Sequence, residues 1–147
     1  MILLDANILL YAYDDRSPHH AVIRVWLENL LSGQEAVGLP WLSAWAFVRI
    51  ITNPKINAQP LAPEQAMSVL GKLRNHPHVA MVNPGRHHAQ YLLEEMLSAQ
   101  VQGAQTTDAA LAALAREHGA TLASTDAGFR RFPALSWINP ITSSRYS

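Results

Sequence analysis

Three aspartates stand where an α/β protein places its chemistry. Asp5 follows the apolar run at residues 1–4, Asp126 follows the run at residues 120–124, and Asp108 opens a stretch of small residues with helical spacing. Short apolar runs bounded by polar residues read as buried strands. In an open parallel sheet, sites form beyond the carboxyl ends of the strands. Asp5 and Asp126 are therefore expected at one edge, with Asp108 presented to it from the first turn of its helix. The helix dipole favours the ionised form of Asp108. Converging ionised carboxylates repel unless a cation sits among them, and hard oxygen donors select Mg²⁺ or Mn²⁺. Each aspartate taken alone is also an ordinary cap or turn residue; only the set points to chemistry.

The elements that must position this set alternate along the chain. After the first strand, the polar cluster Asp14-Asp15-Arg16-Ser17-Pro18 reads as a turn, with Ser17 as N-cap and Pro18 as first residue of a helix. Val22, Val25, Trp26, Asn29 and Leu30 follow at helical spacing, and Gly33 ends the helix. Residues 36–39 read as a second strand. Pro40 opens a helix holding Trp41, Ala44, Trp45, Val48, Ile51 and Thr52, which Asn53-Pro54 stops. The proline-rich segment 52–63 is a loop or lid. A helix over residues 63–76 places Ala66, Met67, Leu70 and Leu73 on one face, and residues 79–82 form a strand. A helix over residues 86–102 turns Tyr91, Leu92, Met96 and Leu97 inward. Thr106 or Thr107 caps a helix at residues 108–117, ended by Gly119. A strand at residues 120–124 and an edge strand at residues 137–140 complete the series. Strands alternating with helices define an α/β layer with a mostly parallel sheet.

Composition narrows the function classes. The chain has 147 residues, the length of one ordinary domain, and residues 1–147 are read as a single domain. Absence of cysteine excludes disulfides, thiol nucleophiles and zinc–thiolate sites. Eleven Lys plus Arg balance eleven Asp plus Glu, so no global basic field exists to grip nucleic acid. Contact with RNA or DNA then requires a local patch or a bound cation. No apolar stretch approaches the ~18 uninterrupted residues of a membrane span, and the N-terminus lacks the basic flank of a signal peptide. The expected location is cytoplasmic.

Several motifs together resemble the PIN-domain ribonucleases. The opening Met1-Ile2-Leu3-Leu4-Asp5-Ala6-Asn7-Ile8-Leu9 is similar to the start of that family. So are Thr107-Asp108-Ala109 followed by Leu111-Ala112-Ala113-Leu114-Ala115, and Gly119-Ala120-Thr121-Leu122-Ala123-Ser124-Thr125-Asp126 with Phe129. Phe47-Val48-Arg49 with Thr52-Asn53-Pro54 resembles one large branch of VapC-type toxins. The resemblance spans nearly the whole chain in order. It implies a PIN-like three-layer α/β sandwich, with a central mostly parallel sheet flanked by helices. It implies RNA cleavage with Mg²⁺, or Mn²⁺ in its place, held by Asp5, Asp108 and Asp126 as catalytic and metal-binding residues. Asn7 and Thr125 match supporting polar positions. The resemblance further implies an RNA substrate, a cognate antitoxin protein as partner and a homodimer.

Two positions depart from the family pattern. Ala46 stands where a Glu is usual, three residues before Arg49, and Gly128 stands where a further acidic residue often follows. Three carboxylates remain, which suits one ion more readily than two. The alternative reading is a PIN-like module with a weakened site that binds RNA or a partner without cutting. A nucleophilic-Asp phosphatase would need a second Asp where Asn7 stands and a late lysine, whereas the lysines are Lys55 and Lys72. Arg49, Arg130 and Arg131 are the candidate phosphate contacts, with Lys55 a further one. The histidine clusters His19-His20, His76 with His78, and His87-His88 lack the i, i+4 spacing of a helical metal site. Trp41 and Trp45 read as core or interface residues in preference to base-stacking ones.

Overall fold

The short apolar runs of the sequence become neighbouring strands. In a computed structural model, which describes residues 1–142 and the backbone of residues 144–146, the elements run β1 (Ile2–Leu4), α1 (Ala6–Tyr13), α2 (His20–Ser32), β2 (Val37–Pro40), α3 (Trp41–Ile51), α4 (Pro63–Arg74), β3 (Val79–Val82), α5 (His88–Ala99), α6 (Thr106–Glu117), β4 (Thr121–Ala123), β5 (Trp137–Asn139) and β6 (Ser144–Tyr146). The sheet order is β3-β2-β1-β4-β5-β6. The first five strands are parallel, and β6 pairs antiparallel with β5.

Successive side chains of a strand face opposite sides of the sheet, so two cores form. Ile2 and Leu4 join Ile8, Leu9, Ile23, Leu27, Phe47 and Leu70 on one side. Leu3 and Leu122 join Leu111, Leu114, Phe129 and Trp137 on the other. Helices α1–α4 thus cover one face and the α5–α6 pair the other, which makes the expected three-layer PIN fold. The chain builds outward from β1 through β2 to β3, then returns to the other side of β1 with β4. That reversal is the switch point at which α/β sheets open a crevice.

Several local expectations are corrected. Residues 6–13, read as nothing regular, form α1 with Asp5 as its N-cap. Ser17 does not cap α2: its Oγ accepts from the His19 backbone N–H at 3.1 Å, closing a turn, and the helix begins at His20. Its buried residues are Ile23 and Leu27, with Trp26 and Leu30 packed partly buried against the same core, whereas Val22 and Val25 are exposed. Neither Thr106 nor Thr107 caps α6; Gln105 holds the N-cap position without a side-chain bond. Helix α5 is shorter than expected, stopping at Gln100 in a left-handed conformation with φ 56°. Met67 and Leu97 lie outside the core. Strand β6 was not anticipated.

Close strand packing sets one strict demand. A Cβ added at Gly38 on β2 would overlap Leu3 Cδ2 and meet Val82 Cγ2 at 2.8 Å. Gly38→Ala should therefore lower the unfolding free energy by about 1–3 kcal/mol through overpacking. Urea denaturation checks this, and a variant as stable as the parent contradicts it.

Candidate active site

Asp5 leaves β1 and immediately caps α1. Its backbone N–H still pairs with the Ala123 carbonyl at 3.0 Å, holding the end of β1 against β4. Its Oδ1 accepts from the Ala6 N–H at 2.7 Å. Capping and site roles therefore coexist in one carboxylate, and the N-terminus of α1 adds its favourable dipole.

The other oxygen of Asp5 belongs to a network across the switch point. Ser124 Oγ donates to Asp5 Oδ2 at 2.7 Å, and Asn7 Nδ2 donates to the same oxygen at 3.2 Å. Ser124 Oγ in turn accepts from Asn7 Nδ2 at 3.1 Å and from the Asp126 N–H at 3.1 Å. Asn7 Oδ1 accepts from the Thr125 N–H at 3.2 Å. Trp137 Nε1 donates to the Ser124 carbonyl at 2.9 Å, pinning the end of β4 from below. Ser124 is fully buried, and the bond from Trp137 to its carbonyl is made away from solvent, while the bonds to Asp5, Asn7 and Asp126 are partly buried.

This arrangement sharpens the sequence reading. Asn7 joins Asp5 as expected. Thr125 takes part through its backbone, while the hydroxyl at the hub belongs to Ser124, which the sequence reading passed over. Its one sequence signal is a hydroxyl closing the apolar run of β4. Asn139 was also missed; its side-chain amide faces the Thr125 carbonyl at 3.5 Å.

Asp108 and Asp126 complete the cluster electrostatically. Burial raises the Asp5 carboxyl above its ordinary range; its hydrogen bonds to Ser124 and Ala6 oppose that, and repulsion from Asp108 and Asp126 adds to it. Burial likewise raises Asp108, with repulsion from Asp126 adding and the Arg131 guanidinium opposing. Asp126 is exposed and caps a short 3-10 turn, its Oδ1 accepting from Gly128 N–H at 2.8 Å. The family's acidic position is thus filled here by a backbone donor to Asp126. Among the described residues, no group of three Asp, Glu or His side chains stands already gathered as a ligand set. The donor chemistry nevertheless fits a hard divalent cation: oxygen ligands only, neighbouring carboxylates whose repulsion helps raise Asp5 and Asp108, and fixed dipoles orienting Asp5. Mg²⁺ commonly takes one or two carboxylates directly and completes its octahedron with water.

The three arginines separate. Arg131 is close enough to lower the Asp108 carboxyl. The Arg130 guanidinium lies over the Trp137 ring, 5.9 Å from its centroid. Arg49 is exposed in the last turn of α3 and forms no ion pair among the described residues. The histidines make local contacts: His78 N–H donates to His76 Nδ1 at 3.1 Å, and His20 Nδ1 meets the Tyr11 carbonyl at 2.8 Å.

Two outcomes follow from this geometry. Ser124→Ala leaves the Asp126 N–H without its acceptor and removes a donor from Asp5, so it should cost about 1–3 kcal/mol, measured by thermal unfolding; an unchanged melting temperature contradicts the hub. A folded-state pKa raised above the ordinary 3.8 means that the native state holds protons longer than the unfolded chain. Stability contributed by Asp5 and Asp108 is then greatest at low pH and is lost as pH rises from that value through the raised one. Asp108→Asn should flatten this fall in metal-free protein; a parallel pH profile contradicts the repulsion.

Comparison with known proteins agrees with this fold. The PIN domain family model matches residues 2–135. Ribonuclease VapC37 of Mycobacterium tuberculosis is 40% identical over 141 residues, covering 95% of this chain and 97% of that protein. VapC ribonuclease Mb2897 of Mycobacterium bovis is 33% identical over 141 residues, covering 96% of each. Among solved structures, VapBC2 of Rickettsia felis bound to promoter DNA superposes with a TM-score of 0.71 at 19% identity, covering 95% of this chain and 98% of that one. Mycobacterium tuberculosis VapC20, described as a Sarcin-Ricin loop cleaving toxin, gives 0.64 at 14% identity, covering 88% and 93%. With a matching domain model over most of its length and relatives above 30% identity end to end, the chain belongs to the VapC ribonuclease family of PIN domains.

Proposed function

We propose that this protein is a Mg²⁺-dependent endoribonuclease, the toxin of a toxin–antitoxin pair, which hydrolyses RNA phosphodiester bonds. The observation that carries the reading is the junction at the β1/β4 switch point, where Ser124 and Asn7 orient the Asp5 carboxylate and Ser124 also holds the Asp126 backbone, with Asp108 near enough to raise Asp5. The residues that would hold the ion are these three aspartates. When bound, such an ion supplies positive charge to the scissile phosphate and lowers the pKa of an attacking water. The chain's own groups do the rest. Ser124 and Asn7 fix the Asp5 carboxylate, the N-terminus of α1 favours its charge, and Arg131 offers a guanidinium beside Asp108 for a phosphate oxygen. A neutral chain gains local positive charge for RNA in this way.

The partner readings rest on relatives. Solved neighbours include a VapBC-1 structure from nontypeable Haemophilus influenzae and the VapBC2 structure named above, which supports a cognate antitoxin. A homodimer and a cytoplasmic site of action complete the proposal; among the described residues no helix is long and apolar enough to cross a membrane. A second reading, RNA binding without turnover, is favoured by Ala46 and by carboxylates that are not pre-gathered.

The deciding experiment is incubation of antitoxin-free protein with total cellular RNA across Mg²⁺ and Mn²⁺ concentrations. Discrete fragments should appear, vanish with EDTA, and vanish in Asp5→Asn and Asp108→Asn. Ser124→Ala, acting through Asp5, should slow cleavage about 10- to 100-fold. Folded, metal-loaded protein that binds RNA and leaves it intact would establish the second reading instead.

A further inference from the structure

Asp126 is placed by its backbone. Its side chain is exposed and bonds within its own turn, Oδ1 accepting from the Gly128 N–H at 2.8 Å. Asp5 differs, because Ser124 and Asn7 donate to its carboxylate directly. The direction of Asp126 therefore depends on the two peptide units that lead to it from β4. A peptide unit is planar and stiff, so holding both of its polar ends fixes its orientation. The unit joining Ser124 to Thr125 is held in this way. Its carbonyl accepts from Trp137 Nε1 at 2.9 Å, and its N–H donates to Asn7 Oδ1 at 3.2 Å. The unit joining Thr125 to Asp126 donates its N–H to Ser124 Oγ at 3.1 Å. Its carbonyl faces the Asn139 side-chain amide, with Nδ2 at 3.5 Å.

We infer that Asn139 is a positioning residue for the Asp126 carboxylate, acting through the Thr125–Asp126 peptide when a divalent cation is held at the aspartates. The inference rests on the ribonuclease reading and assigns that site one more working residue. Placement supports it. Trp137 and Asn139 stand two apart on β5 and so leave the strand on the same side of the sheet. Ala123 pairs with Ile138, which sets Asn139 beside the chain as it leaves β4. Two residues of β5 thus aim donors at successive carbonyls of that chain. The Asn139 amide is itself oriented. Its Oδ1 accepts from the Ile141 N–H at 3.1 Å, which turns the donor end, Nδ2, toward Thr125. Ile141 packs against the core, and Thr142 Oγ1 donates to the Asn139 carbonyl at 3.2 Å, so the amide has a firm base. The contact to Thr125 is the longest of the four that hold the two peptides, beyond the usual range of an N–H···O bond. It leaves slack at the one aspartate whose carboxylate must move inward, since the three are not gathered without an ion. Drawing Asp126 onto a cation takes up that slack. Outer-shell partners of metal ligands act in this way, orienting the ligand without touching the metal.

The test compares the full-length parent with Asn139→Ser. Serine keeps an oxygen for the Ile141 N–H, as serine turns do, and is too short to reach the Thr125 carbonyl. In metal-free protein, hydrogen exchange at the Asp126 amide should speed at least ~5-fold while the Leu122 amide in β4 is unaffected. Calorimetric titration with Mg²⁺ should show Kd raised about 10-fold or more. Cleavage should lose kcat by a similar factor at the parent's KM for RNA, because the residue acts on the ion's ligand and not on the strand. In the parent itself, the Asn139 side-chain amide resonances should shift as Mg²⁺ binds, and this readout decides the matter if Asn139→Ser does not fold. An Asp126 amide and a Mg²⁺ Kd that are both unchanged in Asn139→Ser overturn the inference. So does a variant that melts earlier and cleaves more slowly while its Mg²⁺ Kd stays at the parent's value, since that is structural support alone. The ribonuclease reading is judged on the parent. Mg²⁺ binding and cleavage that Asn139→Ser leaves intact remove the positioning role alone, while a parent that neither binds Mg²⁺ nor cuts RNA removes both.

Discussion

Like charge brought together at one crevice is the constraint on which the rest of this structure depends. Asp5, Asp108 and Asp126 come from the end of β1, α6 and the turn after β4, and burial with repulsion from the neighbouring carboxylates raises Asp5 and Asp108. Nothing in the local sequence of any one of them demands this. The sheet order does, because β4 returns to the side of β1 opposite β2 and leaves both carboxyl ends at the switch point. A fold selected for stability alone would have separated the charges or paired each with a base. Here the Arg131 guanidinium opposes the repulsion at Asp108.

The network around Ser124 explains how such a cluster is held in place. One buried hydroxyl ties the side chain of Asp5 to the backbone of Asp126 and to Asn7, so the two strand ends and the start of α1 share a single polar junction. Beneath it, Trp137 fixes the Ser124 carbonyl and fills the core under β4. The fully apolar β1 and the close approach at Gly38 keep the sheet tight enough for that junction to form. Packing and electrostatics are therefore coupled: the core supplies rigidity that a repelling site cannot generate for itself.

How much of this was legible in the sequence follows from what each signal measures. The strands and the three aspartates were readable because each carboxylate interrupts or follows a run of one character. Helix α1 was not, because Ala6–Tyr13 is apolar nearly throughout and has no contrast from which a 3.6-residue period can be read. The inward face of α2 was only partly legible for a related reason: Trp26 and Leu30 do pack on the core, but Val22 and Val25 are as apolar as Ile23 and Leu27, and only tertiary packing decides which pair turns inward. Ser17 and Thr106 carry cap chemistry, yet a serine turn and a short 3-10 turn before α6 shift where the helices begin. Ser124 lies 119 residues from Asp5, and no local pattern announces a bond of that span. Asn7 and Thr125 pointed to the right junction, with Thr125 serving through its backbone in place of its hydroxyl.

The central claim is that the aspartates form one electrostatic unit awaiting a cation. Carbon-13 carboxylate titration by NMR, followed for Asp5 and Asp108 with and without Mg²⁺, tests it most directly. The account predicts that both titrate above the ordinary aspartate range in metal-free protein and that millimolar Mg²⁺ moves both downward together. Ordinary, independent titrations that Mg²⁺ leaves unchanged would contradict it.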